Sequence, residues 1–376
     1  MNKYFIIASD ERSYLDVINV VQELKKRKLP YFFLYSRGPH RISPAHSLNK
    51  FNYDSNLEET DNSQEVSFTT LGCTLPFTPT HLITTNENWE PEKTILQEFK
   101  TKGCFIACID NSTWLRSGIK GKLELGSRKK YPSNCIDIYF EHSTRCKEIK
   151  ILGGMYPHQS VVVGNPRNDS VDYTCTTENI AIVYGSMERE HHSKIVEIYR
   201  QMVDYYKDWE VYYKPHPNEV KEFPNDFENI NVIGTYEEYF TILPKSNLNI
   251  GIFGSVMYFP LILKKTVVPI SFEDAGVLDE EDIENYRGHE YNFWSRILNF
   301  KSFKDFKDYI GLDFMRQTKE INLEVDKILQ DNLEFYSKGI IFKQTYINNI
   351  NILRYFDEFN DRKASSRIIN YLEYVQ

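Results

Sequence analysis

Trp209-Glu210-Val211-Tyr212-Tyr213-Lys214-Pro215-His216-Pro217-Asn218-Glu219 is a short β-type run that breaks into a turn carrying one histidine between two prolines. Val211, Tyr212 and Tyr213 favour an extended chain. Pro215 and Pro217 fix φ at two positions and deny the helical region to Lys214 and His216. The imidazole of His216 is therefore expected on a stiff loop at the end of a strand. Open α/β sheets bind ligands in the crevice beyond the carboxyl ends of their strands, and a lysine beside a histidine there offers donors to a phosphate. The competing reading is a rigid surface turn with a solvated histidine, since proline-bounded strand ends are common.

Outward from the turn, strands and helices alternate. On the N-terminal side, Ile180-Ala181-Ile182-Val183-Tyr184 is an apolar run that turns at Gly185-Ser186 and leads into a helical stretch from Met187 to Tyr206. On the C-terminal side come a strand at Ile230-Asn231-Val232-Ile233, an acidic helix start at Tyr236-Glu237-Glu238, and a strand from Asn247 to Phe253 that reaches Gly254-Ser255. Val256 to Lys264 reads as a helix, Thr266 to Ile270 as a further strand, and Glu273 to Glu284 as an acidic loop. The first half has the same rhythm. Tyr4-Phe5-Ile6-Ile7-Ala8 is a strand, Tyr14 to Lys28 an amphipathic helix and Pro30 to Tyr35 a second strand, a βαβ unit that implies a parallel sheet. His81 to Thr85, Cys104 to Ile109 and Asp137 to Ser143 continue it, with helices over Pro91 to Lys102 and up to Lys150, before the run Ser160 to Asp169. Residues 37 to 80 are polar and loop-rich, and Lys120 to Lys130, basic and glycine-punctuated, reads as a solvated connection ahead of the alternative, a mobile loop near an anion.

A chain of 376 residues suits two α/β domains, and the apolar rhythm lapses between Asn165 and Asn179. The expected division is 1–168, 169–320 and a helical C-terminal region, 321–376, free to cross back to the first domain. Hydrophobic residues at 41% supply ample core, while a net charge of −8 argues against a duplex nucleic-acid binder, which needs a basic face. An anionic ligand at a local site stays open. No run approaches the apolar length of a membrane span and Met1-Asn2-Lys3 does not begin a signal peptide, so a cytoplasmic protein is expected. Arg362-Lys363-Arg367 is too small a basic cluster to mark a membrane surface and reads as packing. Cysteines 73, 104, 108, 135, 146 and 175 form no CxxC pair and have no histidine at zinc spacing, so buried thiols are expected and no metal site.

Three strand ends in the second half hold the chemistry: Gly185-Ser186, Lys214-Pro215-His216-Pro217 and Gly254-Ser255. Gly254 permits close backbone approach, and Ser255 and Ser186 stand where helix starts offer unpaired N–H groups to an anion. Each serine alone could equally be a plain N-cap. Together with Lys214 and His216 they favour a phosphate or diphosphate. Asp110, after the strand ending at Ile109, leads as a general base over Asp10 and Glu11; each could instead cap a helix. Glu273 and Asp274 follow the strand ending at Ile270 and could meet hydroxyls of a ligand.

The ordered set Val163-Gly164-Asn165-Pro166-Arg167-Asn168-Asp169, Gly185-Ser186, Lys214-Pro215-His216-Pro217 and Gly254-Ser255 resembles the GT-B nucleotide-sugar transferases. Within them it is most similar to the bacterial capsule and teichoic-acid group: CDP-glycerol glycerophosphotransferases, polysialyltransferases with their His-Pro motif, and Kdo-type capsule transferases. The resemblance spans residues 100 to 270. It implies an acceptor-side N-terminal Rossmann-like domain facing, across a cleft, a C-terminal one that holds the nucleotide. Gly185, Ser186, Lys214, His216, Gly254, Ser255 and Glu273 would bind the donor, His216 would stabilise the departing nucleotide, and no metal or other cofactor is called for. It also implies a CMP-, CDP- or UDP-linked donor and a cell-surface glycan or lipid-linked acceptor. A peripheral position at the inner face of the membrane, or in a biosynthetic complex, is left open. Two departures count against glycerol phosphate transfer: Ile252-Phe253-Gly254-Ser255 stands where that group has Asp-Tyr-Ser-Ser, and Asp110-Asn111-Ser112-Thr113-Trp114 where it has Trp-His-Gly. The alternatives are a UDP-N-acetylglucosamine 2-epimerase-like isomerase or hydrolase and a non-catalytic GT-B glycan-binding module.

Overall fold

Tyr4–Ala8 forms β1, and all five of its residues are buried, as a strand covered on both faces of a parallel sheet requires. The computed structural model describes residues 2–36, 52–56, 66–68, 73–75, 77–87, 92–109, 115–117, 123–125, 133–152, 154–171, 176, 178–185, 191–252, 256, 259–260, 263, 265–270 and 357–375. After β1, Asp10 accepts a hydrogen bond from the Ser13 N–H at 2.7 Å and caps α1 (Glu11–Arg27). Asp10 is thus a buried helix cap, the structural alternative to its reading as a base. Lys25, Lys26 and Arg27 close α1 where positive charge complements the helix dipole. β2 (Tyr31–Tyr35) then returns parallel to β1 with Tyr31 opposite Tyr4.

The chain continues through β3 (Asn52–Ser55), β4 (Val66–Phe68), β5 (Cys73–Leu75), β6 (His81–Thr84), α2 (Glu92–Thr101), β7 (Phe105–Ile109), β8 (Leu115–Ser117), β9 (Leu123–Leu125), β10 (Ile138–Glu141), α3 (Thr144–Leu152) and β11 (Ser160–Val162). One sheet has the order β11-β10-β7-β6-β1-β2-β3, parallel except for the antiparallel edge strand β3. The pairs β4–β5 and β8–β9 form separate two-stranded sheets; β9 lies inside the run 120–130, expected only as a connection. Alternate residues of β1 point to opposite cores. Tyr4, Ile6 and Ala8 pack with Val17, Val20, Val21 and Leu24 of α1, and Phe5 and Ile7 with Ile95, Leu96 and Phe99 of α2. Cys104 and Cys108 are buried thiols in the second core, and burial pushes the Cys104 thiol up to about 12. That is the environment of a structural thiol.

The chain divides into two compact units, Met1–Trp114 with Leu125–Val171 and Arg354–Gln376, and Leu115–Glu124 with Asp172–Leu353. The C-terminal helix, Ala364–Tyr374, therefore belongs to the first unit, where Ile368, Ile369 and Leu372 complete the α1 core. The Gly164 to Asp169 run is its socket. Gly164 has φ 91°, and a Cβ there would lie 2.8 Å from Asp357 Oδ1. Asn165 caps the short 3-10 turn Pro166–Ser170, the Arg167 guanidinium pairs with Asp16 of α1, and Asn168 Nδ2 donates to Asp357 Oδ2 at 2.9 Å. The C-terminal helix has no side-chain cap of its own; Asp169 accepts from the Ala364 and Ser365 N–H groups at 3.1 and 2.7 Å. Asp169→Ala is expected to cost about 1 kcal/mol and to speed amide exchange in the first turn of that helix. Unchanged exchange at Ala364 and Ser365 would contradict this.

The second unit carries β12 (Ile180–Tyr184), α4 (His192–Tyr205), β13 (Glu210–Lys214), α5 (Pro217–Glu222), α6 (Tyr236–Ile242), β14 (Leu248–Ile252) and β15 (Thr266–Ile270). Its sheet, in the order β13-β12-β14-β15, is wholly parallel. α4 is described from His192, and residues 186–190, which include the expected helix start at Met187, lie outside the described set. The expected strand at 230–233 is reduced to one parallel bridge between Val232 and Tyr213. Asn229 in the left-handed region (φ 64°) and the start of α6 leave no length for more. α6 opens on a capping box in which Thr235 and Glu238 satisfy each other's backbone N–H groups.

Candidate functional site

The order of the second sheet reverses at β12, since the chain passes from β12 to β13 on one side and to β14 on the other. That reversal is the topological switch point at which open α/β sheets take ligands. β12 and β13 end level, with Tyr184 opposite Lys214, and the Gly185 N–H donates to the Lys214 carbonyl at 2.9 Å. The chain then passes through buried Pro215 to His216 and enters α5 with Pro217 in its first position, where a missing N–H is harmless. Glu219 stands three residues after His216. Its Oε2 accepts the His216 backbone N–H at 2.8 Å, a bond that clamps the turn.

Glu219 is 2% exposed and accepts from two further donors on Oε1, the Tyr213 hydroxyl at 3.0 Å and His192 Nδ1 at 2.9 Å. It also explains Gly185. A Cβ at that position would lie 1.7 Å from Glu219 Oε2 and 2.9 Å from the His216 backbone nitrogen. His216 itself is half-buried. Burial holds its imidazole below the ordinary histidine value, with Lys214 acting the same way and Glu219 opposing. Around neutral pH the ring is therefore a neutral hydrogen-bonding group, so the charge compensation expected of it at a leaving phosphate needs a proton that the ligand brings or induces. The Lys214 ammonium lies 4.9 Å from the Tyr236 ring centroid and 3.4 Å from the Ile233 carbonyl, drawn toward the start of α6.

The chain matches no protein-family model and no curated protein by sequence. Its structure resembles the UDP-GlcNAc 2-epimerase of Neisseria meningitidis bound to UDP-GlcNAc, with a TM-score of 0.54 and 12% identity over 99% of both chains. It also resembles the wall teichoic acid polymerase TagF, with a TM-score of 0.57 and 11% identity over 99% of this chain and 88% of that one. The fold is GT-B. At these identities the likeness is one of fold, and each unit is one of the Rossmann-like domains of a GT-B protein.

In this GT-B chain, Gly185, Lys214 and His216 are brought together at the ends of β12 and β13. Asp110, Ser186, Gly254, Ser255 and Glu273 lie outside the described residues. Glu219 and His192 were not marked as functional by the sequence pattern. The available signal was a glutamate at the third helical position after a proline at the first, which identifies a cap but not its burial. A pocket of about 480 Å³, lined by residues that include Thr80, His81, Cys104 and Asp137, opens instead at the amino ends of β6 and β7. It contains none of the candidates. The carboxyl ends of the second sheet are the better candidate, because there the strand order reverses and a buried carboxylate holds the backbone N–H of a histidine.

Proposed function

We propose that the chain is a glycosyltransferase that takes a sugar from a CMP-, CDP- or UDP-linked donor and passes it to a bacterial cell-surface glycan or lipid-linked acceptor. The observation that carries this reading is the His216 turn, clamped by Glu219 at the switch point of the second sheet. A leaving nucleotide phosphate needs hydrogen bonds and positive charge as the glycosidic bond breaks. His216 supplies the hydrogen bond, and Lys214 stands on the same turn. Ser186, Gly254, Ser255 and Glu273 complete the proposed donor pocket. Asp110 is the proposed base that removes the acceptor proton. The reading assigns no metal or other cofactor and places the protein in the cytoplasm, with access to acceptors at the inner face of the membrane. No helix among the described residues is long and apolar enough to cross a membrane.

A phosphate beside His216 raises the ring's proton affinity, which burial has lowered in the free protein. Donor binding is then coupled to proton uptake, and affinity is expected to tighten as pH falls from about 8 to about 6. Calorimetry with CMP, CDP and UDP across that range checks this, with His216→Gln expected to weaken binding and flatten the slope. Nucleotide release that requires an acceptor supports the transferase. The fold likeness to a 2-epimerase favours one second reading, an isomerase or hydrolase of sugar nucleotides, which would convert the donor without acceptor. If no nucleotide binds, a non-catalytic glycan-binding module is what remains.

A further inference from the structure

We infer that Glu219, backed by His192, is a positioning residue that sets His216 for its contact with the donor phosphate, an inference that rests on the donor-site reading above. A helix cap alone does not call for this construction. In α6, Glu238 takes the Gly234 and Thr235 N–H groups at 2.8 and 3.0 Å from an exposed position, which is all that capping requires. Glu219 makes the equivalent bond to His216 from a buried position, where a carboxylate is costly unless every oxygen is paired. The pairing extends inward. His192, 3% exposed, meets Glu219 with Nδ1 at 2.9 Å and Asp226 Oδ2 with Nε2 at 3.2 Å. Its ring stacks on Phe223 at 4.2 Å between centroids with planes 3° apart, and Phe227 packs edge-on at 5.8 Å. Asp226 and two aromatic rings thus fix the orientation of His192, which together with Tyr213 fixes Glu219, which fixes the backbone of His216. Gly185 completes the device by leaving its Cβ space to the Glu219 carboxylate.

The side-chain oxygen of glutamine can still accept the His216 N–H, whereas alanine frees it. Glu219→Ala is therefore expected to lose His216 amide exchange protection, to move or broaden the His216 imidazole signals in NMR, and to weaken nucleotide binding about tenfold or more. Glu219→Gln should restore most of each. The control is Met202→Ala, which opens a buried site on α4 away from the turn and should lower Tm while leaving the His216 signals and nucleotide affinity within about twofold. The inference is overturned if Glu219→Ala behaves as Met202→Ala does, with lowered Tm and unmoved His216 signals, or if nucleotide affinity holds although those signals have moved. The underlying reading fails separately. In that case the wild-type chain binds no nucleotide or His216→Gln binds as well as wild type, and any movement of His216 in Glu219→Ala shows a clamp that serves no donor, which also overturns the inference.

Discussion

Gly185→Ala is expected to lower the stability of the second unit by about 3 kcal/mol or more, with a fall in denaturant midpoint and loss of nucleotide binding in the residual folded protein. The added methyl carbon would sit 1.7 Å from Glu219 Oε2, 2.7 Å from its Cδ and 2.9 Å from the His216 backbone nitrogen. The backbone at Gly185 is not in the left-handed region, so close approach is the reason for glycine here. Relief by moving the carboxylate means breaking its bonds to the half-buried His216 N–H and to the buried Tyr213 hydroxyl and His192 ring, and losing a buried hydrogen bond is costly. The double variant Gly185→Ala with Glu219→Ala should recover only part of the loss. It removes the carboxylate clash but keeps the contact with the His216 nitrogen. A Gly185→Ala protein within 1 kcal/mol of wild type (about a fivefold change in the folding equilibrium) would show that Glu219 does not occupy this place.

Lys150→Met should cost about 3–5 kcal/mol in the first unit, because it leaves Glu141 buried without its counter-charge. Lys150 Nζ donates to both oxygens of Glu141 at 2.7 and 2.6 Å, the two side chains are 1% and 0% exposed, and the ammonium also lies 5.5 Å from the Tyr139 ring centroid. The pair anchors α3 to the carboxyl end of β10. Replacing both residues with apolar groups of similar volume, as in Lys150→Met with Glu141→Leu, should return most of the stability, since the unpaired buried charge is the larger part of the penalty. Equal losses in the single and double variants, measured by denaturant unfolding, would instead assign the effect to packing.

Much of the architecture is legible along the chain because its causes are local. β1 and β12 are continuous apolar runs, α6 carries a capping glutamate three residues after Thr235, and Pro217 with Glu219 marks the start of α5. Such signals act within a turn of helix or a few residues of strand. The run Val232–Ile233 misleads for the same reason: its composition is that of a strand, but the left-handed Asn229 and the nearby start of α6 curtail pairing.

The proline-bounded histidine at the end of a strand, the alternation that makes two parallel α/β domains, and the placing of Gly185, Lys214 and His216 at strand ends could all be read from residue order, while GT-B followed from the resemblance of the motifs. Tertiary structure alone decided that Gly164 to Asp169 grips a helix 195 residues further on, that Glu141 meets Lys150, and that Glu219 lies buried beneath Gly185 with His192 behind it. It also decided that burial holds the His216 imidazole below its ordinary value, which residue order does not reveal. Backbone propensity and capping depend on neighbours along the chain, whereas burial, charge pairing and the room for a single Cβ depend on which strands are brought side by side.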